Sequence, residues 1–212
     1  ESADRLAKVF SGFFDLIVLD APCSGEGMFR KQLDAMDYWS VEYPRECSLL
    51  QREILEDALK MLVQGGSLVY STCTWAPEEN EEIVSWLLEN YELELETIEK
   101  INGMAEGIDH PETARMYPHL FKGEGQFVAK FRYLGENRPA KIPSKKDQLS
   151  AEQKKWWQEF AKKHLKITLE GVLETFGDEL YLVPLGLPDL RKVKIARNGL
   201  HLGTFKKNRF EP

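Results

Sequence analysis

Asp20, Cys23 and Cys73 are the residues of this 212-residue chain whose grouping would do chemistry. A carboxylate and two thiols in one place suit nucleophilic attack on an electron-poor ring. A thiolate adds strongly and reversibly, and a nearby carboxyl group can hold a proton on the ring. Each cysteine follows an apolar run. The first lies in Leu16-Ile17-Val18-Leu19-Asp20-Ala21-Pro22-Cys23-Ser24-Gly25-Glu26-Gly27, the second in Ser67-Leu68-Val69-Tyr70-Ser71-Thr72-Cys73-Thr74. In an open α/β sheet, ligands bind where parallel strands run out at their carboxyl ends. Two such strands would deliver Asp20, Cys23 and Cys73 to one cleft.

The elements that must position them follow from periodicity. Phe14 to Leu19 is a nearly continuous apolar run, which predicts a central parallel strand buried on both faces. Residues 21–31 form a Gly- and Pro-containing loop, where Pro22 stiffens the chain and Gly25 and Gly27 would let backbone approach a bound ligand. From Ser48 to Leu62, the apolar positions Leu49, Leu50, Ile54, Leu55, Ala58, Leu59 and Leu62 recur at helical spacing, and Gly65 and Gly66 are expected to end that helix. Ser67 to Ser71 is the second buried strand. Pro77 opens another helix, with Glu78, Glu79, Glu81 and Glu82 at its positive end and Ile83, Val84, Trp86, Leu87 and Leu88 on its packing face. Residues 92–98 alternate weakly. Residues 126–133 alternate well, with Phe127, Ala129, Phe131 and Tyr133 on one side. The order predicts an α/β sheet with antiparallel pairing near its end.

Residues 134–150 read as a linker, with Pro139, Pro143 and several Lys. A basic helix over 151–165 bears Trp156, Trp157 and Phe160. The short apolar runs 180–183, 193–196 and 200–202 predict a small β-rich module. The net charge of −7 conceals an asymmetry that supports this division. Residues 1–133 hold 12 Lys and Arg against 25 Asp and Glu; residues 134–212 hold 16 against 10. The acidic part would not attract RNA; the basic part would, although such a surface is also ordinary solvation.

Three cysteines cannot all pair, and their spacing is not that of a zinc site, so no metal is expected and the compartment reads as reducing, the cytosol. No stretch reaches the roughly 18 apolar residues of a membrane span, and the polar opening Glu1-Ser2-Ala3-Asp4 predicts no signal peptide. Cys47 lacks a strand-end setting and reads as structural. Arg30, Arg45 and Arg52 near the loop are candidates for phosphate contact and equally for pairing with Glu. Trp75, Trp156 and Trp157 read as packing residues.

The Asp20–Gly27 motif with Ser71-Thr72-Cys73-Thr74 resembles the paired motifs of the Nop/Sun-type RNA cytosine-C5 methyltransferases. Arg115-Met116-Tyr117-Pro118-His119 and Gly123-Glu124-Gly125-Gln126-Phe127 resemble a later motif of that family. Gly199–Gly203 and Lys206–Pro212 resemble the tail of its bacterial, methyltransferase F-like branch, which modifies small-subunit ribosomal RNA. The resemblance implies a partial class I (Rossmann-like) methyltransferase sheet over 1–133 and a PUA-like RNA-binding module over 151–212. It implies S-adenosylmethionine as cofactor and ribosomal RNA or the ribosomal subunit as partner; transfer RNA remains an alternative substrate. It makes Cys73 the nucleophile at cytosine C6 and Cys23 the thiol that assists release. Asp20 lies beside the methyl donor and near N3 of the base. Pro22, Arg30, His119, Lys206, Lys207 and Arg209 are the expected substrate contacts, with His119 equally a candidate for packing. A glycine-rich cofactor loop, expected to precede these motifs, is not in the sequence. The chain therefore reads as the middle and carboxyl portion of a longer enzyme, and in isolation as an RNA-binding fragment with little affinity for the cofactor.

Overall fold

The computed structural model describes residues 1–143 and 146–212, and the chain divides into two compact units, Glu1–Ala140 and Lys141–Pro212.

The first unit opens with a short helix, α1 (Ala3–Val9), which periodicity did not reveal. Strand β1 (Phe14–Asp20) follows, then helix α2 (Tyr43–Met61) and strand β2 (Leu62–Thr72). A 3-10 turn over Pro77–Glu79 leads into helix α3 (Glu81–Asn90). Strands β3 (Leu93–Glu96), β4 (Ala105–Glu106), β5 (Ala114–Met116) and β6 (Gln126–Tyr133) complete the unit. β1 and β2 pair in parallel, β2 and β6 antiparallel, and the far edge of β6 is shared by β5 and β3. The sheet is therefore mixed, in the order β1-β2-β6-β5-β4 with β3 beside β6. Its core joins Leu68 and Tyr70 of β2, Phe127, Ala129 and Phe131 of β6, Leu55 and Leu59 of α2, and Ile83, Val84 and Leu87 of α3.

Three expectations need correction. β1 is an edge strand, not a central one: Leu16 and Val18 stand 56% and 64% exposed, because β2 covers one edge only and no described element packs on that face. Helix α2 starts earlier than its apolar pattern, with Pro44 in the first turn, and Leu49 and Leu50 point outward. Gly65 and Gly66 do not end it. The helix closes at Met61, and Gly65 (φ +77°) sits within β2, where the register with β1 shifts between Phe14 and Leu16.

The segment read as a linker is tied down where it leaves β6. Asn137 Nδ2 donates to the carbonyls of Leu59 (2.7 Å) and Leu62 (2.9 Å), where α2 gives way to β2. Ala140 N–H donates to Ser11 O (2.6 Å). Within the same span, Ser144 and Lys145 lie outside the described residues.

In the second unit, helix α4 (Ala151–His164) starts on a capping box: Ser150 Oγ accepts from Gln153 N–H, and the Gln153 side chain accepts from Ser150 N–H. It packs Trp157 and Phe160 onto an antiparallel sheet of β7 (Val172–Phe176), β8 (Glu179–Val183), β9 (Leu200–Lys206) and β10 (Arg209–Glu211), in the order β10-β9-β8-β7. Phe205 and Phe210 close the core beneath the two rings, which explains why the aromatics of this helix pack. Residues 193–196 form no strand; they lie in a loop that follows a 3-10 turn over Leu190–Lys192.

Candidate functional site

The parallel register of β1 and β2 brings the two cysteine motifs together. Asp20 lies opposite Ser71, and Ser71 Oγ donates to Asp20 Oδ1 (2.9 Å). One step further, Ala21 N–H donates to Ser71 O. The Cys23 and Cys73 sulfurs then stand 3.2 Å apart, both half-buried and both free thiols. The Cys73 amide N–H also donates to Cys23 Sγ (3.3 Å).

The loop after Cys23 is zipped to the strand end along its length. Ser24 Oγ and Thr74 Oγ1 are 2.9 Å apart, Thr74 Oγ1 donates to Glu26 Oε2, and Gly27 N–H donates to Cys73 O (2.8 Å). Gly27 is required here for a reason other than the one its sequence suggested. A Cβ on it would lie 2.7 Å from the carbonyl oxygens of Cys73 and Gly125, so the bare backbone admits β2 and the loop before β6 rather than a base.

Beneath the loop lies a polar cluster that the sequence did not disclose. Glu79, fully buried, accepts from Ser24 N–H and from Gln51 Nε2. Burial pushes its carboxyl group above the usual carboxylate range, against the hydrogen bonds that hold it down. Read from sequence, Glu79 is one of four surface acids at a helix start. The available signal was the polar run Thr72-Cys73-Thr74 at the end of a buried strand, whose partners must be polar too.

Arg115, 1% exposed, fastens the far side. Its guanidinium pairs with Glu81, with Nε to Oε1 at 2.7 Å, while Nη1 donates to Trp75 O (3.1 Å), just beyond Cys73. Truncating one partner of a buried pair leaves an uncompensated charge. Arg115→Ala is therefore expected to cost about 3–5 kcal/mol, read as a lower denaturation midpoint; a loss below about 1 kcal/mol would refute this accounting.

The proximity of the thiols separates their acidities. Cys73 is lowered, chiefly because the Cys23 S–H donates to its sulfur; burial and the Asp20 charge oppose this. Cys23, the more deeply buried, is strongly raised: it gives its hydrogen bond to Cys73, it is desolvated, and it would ionise beside an existing thiolate. The pair therefore gives up its first proton from Cys73 and keeps the second on Cys23. Burial pushes Cys47, on α2, up to about 11. Iodoacetamide is accordingly expected to label Cys73 first. Labelling is lost as pH falls through the lowered value, and its midpoint lies below the 9.0 of an unperturbed thiol. Mass spectrometry of the peptides at each pH reads this, and faster labelling of Cys23 or Cys47 would contradict it.

The expected substrate contacts fall into three groups. Pro22, Arg30 and His119 are exposed in the first unit, and His119 stacks beside Tyr117 at 5.6 Å rather than packing in the core. Lys206, Lys207 and Arg209 are exposed around the β9–β10 hairpin of the second unit, where Arg209 pairs with Glu211. Of the two other arginines, Arg45 is exposed, whereas Arg52 lies over the Trp86 ring at 5.2 Å. A cavity of about 660 Å³ in the second unit, lined by Phe176, Ile195, Arg191 and Arg197 among others, holds no thiol. Among the described residues no cluster offers three His, Cys, Asp or Glu for a metal ion, and no helix is long and apolar enough to cross a membrane.

Residues 2–132 match the family model described as 16S rRNA methyltransferase RsmB/F. The chain belongs to this family. Residues 159–212 match a second model, the first C-terminal domain of RsmF rRNA methyltransferase. Among RsmB/F relatives, the ribosomal RNA small subunit methyltransferase F of Cronobacter sakazakii is 41% identical over 137 residues, covering 63% of this chain and 28% of its own length. That of Erwinia tasmaniensis is 35% identical over 207 residues, covering 92% of this chain and 43% of its own. The chain thus spans less than half of either relative. The crystal structure of NSun6 from Pyrococcus horikoshii superposes with a TM-score of 0.50 at 33% identity, over 57% of this chain and 30% of that one.

Proposed function

We propose that this chain forms the thiol-bearing and RNA-contacting part of an S-adenosylmethionine-dependent methyltransferase acting on C5 of cytosine in small-subunit (16S) ribosomal RNA. The observation that carries the reading is the 3.2 Å approach of the Cys23 and Cys73 sulfurs at the ends of two parallel strands, beside Asp20. Thiols this close can address neighbouring atoms of one ring from the same side, as C5 and C6 of a pyrimidine are.

The described residues fit a sulfonium donor as one wall only. Asp20 is an exposed carboxylate at the end of edge strand β1, and the rest of an enclosure is not supplied by this chain. When bound, the donor supplies an electrophilic methyl group. The chain's own residues do the remainder. The Cys73 thiolate adds to C6, and the electron pair displaced from the C5–C6 bond makes C5 nucleophilic. Asp20, oriented by Ser71, holds a proton at N3 and so eases the addition. Once Cys73 is a thioether, its charge no longer opposes ionisation of Cys23. Cys23 can then lose its proton to water and take the proton from C5. The electron pair of the C5–H bond re-forms the C5=C6 double bond and expels the Cys73 thiolate, and the proton held at N3 leaves to water, which restores the starting pair.

A buried or paired base cannot present C6, so the target cytosine is single-stranded or turned out of its helix, at a cost of a few kcal/mol. Arg30, Pro22 and His119 contact the nucleotide around this site, while Lys206, Lys207 and Arg209 supply phosphate contacts from the second unit.

The test uses methyl-labelled S-adenosylmethionine, the natural full-length protein, and small-subunit ribosomal RNA or transfer RNA in parallel. The label is expected in 5-methylcytidine of the ribosomal RNA. Label in any other nucleoside, or confined to transfer RNA, would overturn the proposal.

A further inference from the structure

We infer that Gln51 and Glu79 form a clamp on the two peptide groups flanking Cys23, with Glu79 the positioning residue that aims the Cys23 thiol for the release step. The inference rests on the release role given to Cys23 above. Gln51 Nε2 donates to the carbonyl of Pro22 (2.9 Å), immediately before Cys23. The amide N–H of Ser24, immediately after it, donates to both Glu79 oxygens (3.2 and 3.1 Å). The two side chains are joined to each other, Gln51 Nε2 to Glu79 Oε2 at 2.6 Å. Both are fully buried.

The clamp is anchored on three elements. Gln51 stands on α2, Glu79 ends the 3-10 turn, and Tyr70 lies two residues before the end of β2. The Tyr70 hydroxyl donates to the Glu79 carbonyl (2.7 Å) and reaches Gln51 Oε1 (3.0 Å), so the same strand that carries Cys73 sets the clamp.

Cys23 needs this support and Cys73 does not. Cys73 follows directly on Thr72, which pairs with Phe127 of β6, and Ser71 before it pairs with both β1 and β6. Cys23 lies three residues beyond the end of β1, in a loop without ladder partners. A buried carboxylate is a costly way to stabilise a fold, since apolar side chains of similar volume often serve as well or better. One whose oxygens meet a backbone amide beside a reactive thiol has a geometric use, because a displacement of about 1 Å at a reacting group can lower a rate by roughly 10²-fold.

Glu79→Gln turns an amide NH₂ toward the donors on Ser24 and Gln51 and opens the clamp. Gln51→Ala removes the grip on Pro22 without placing any new group in the core. Both are made in the natural full-length protein and assayed with S-adenosylmethionine and transcribed small-subunit ribosomal RNA. Turnover is expected to fall roughly 10–100-fold with KM for RNA unchanged. Covalent Cys73–RNA complex resistant to denaturation should accumulate above the wild-type level. In a Cys23→Ala background, neither change should lower turnover or raise the complex further, because the clamp acts only through that thiol. The inference is overturned if turnover and complex fall together in proportion to folded protein, or if turnover stays at the wild-type rate. It is overturned equally if the effects add to those of Cys23→Ala. Failure of the underlying reading looks different: Cys23→Ala itself would then accumulate no complex.

Discussion

Under the proposed mechanism, replacing Cys73 with alanine is expected to lower methyl transfer by roughly 10⁴-fold or more, the scale on which nucleophile removal acts in enzymes that work through a covalent intermediate. The fold should survive. The Cys73 sulfur shares a hydrogen bond with the Cys23 thiol, and the polar groups nearby are held by the main chain and by Thr74. Losing that single weak hydrogen bond costs about 1 kcal/mol at most. The measurement is 5-methylcytidine formed per enzyme in single-turnover assays, alongside a denaturation midpoint. Turnover within tenfold of wild type would remove Cys73 from the chemistry.

Replacing Cys23 has the opposite signature. In the proposed mechanism addition at C6 uses Cys73, so the covalent complex should still form, and removal of the C5 proton uses Cys23, so the complex should not resolve. Cys23→Ala is expected to convert a large fraction of enzyme into a protein–RNA species that survives denaturing electrophoresis, while product formation falls by roughly 10²–10⁴-fold, the range of a general base. Cys23→Ser is expected to behave similarly, since a hydroxyl keeps the shape but holds its proton far more tightly than a thiol. A Cys23 variant that makes neither product nor complex would place Cys23 in the addition step instead.

The two cysteines were legible because their motifs end apolar runs, and a strand end is a place that sequence can mark. β6 was legible for the same kind of reason. Its alternation of Phe127, Ala129, Phe131 and Tyr133 is the direct imprint of one buried face, and those residues are buried. Strand order leaves no such imprint. Phe14 to Leu19 is as apolar as a central strand, yet β1 lies at the edge, because neighbours are chosen by distant segments. Helix α1 was invisible because seven residues show too few turns for a period. The Gly65-Gly66 pair misled because glycine serves both a helix end and an irregular strand entry.

The site itself was half legible. Residue type announced a thiol and a carboxylate, but it did not announce what holds them. Gln51 reads as one more polar position on an amphipathic helix, and Glu79 as one more acid near a helix start. Only the approach of α2, β2 and the Pro77–Glu79 turn around residues 22–24 turns them into a buried network. Gly27 shows the same limit. Its need for a bare backbone was predictable, whereas the neighbour that demands it, the Cys73 carbonyl, is a tertiary fact.

The most direct test of the account is where the RNA is attached. The trapped complex of the Cys23→Ala protein is digested with nuclease and protease, and the modified peptide is sequenced by mass spectrometry. The account predicts a methylated cytidine nucleotide on the peptide containing Cys73. A nucleotide found on Cys47, or a Cys73 peptide recovered only unmodified, would contradict it.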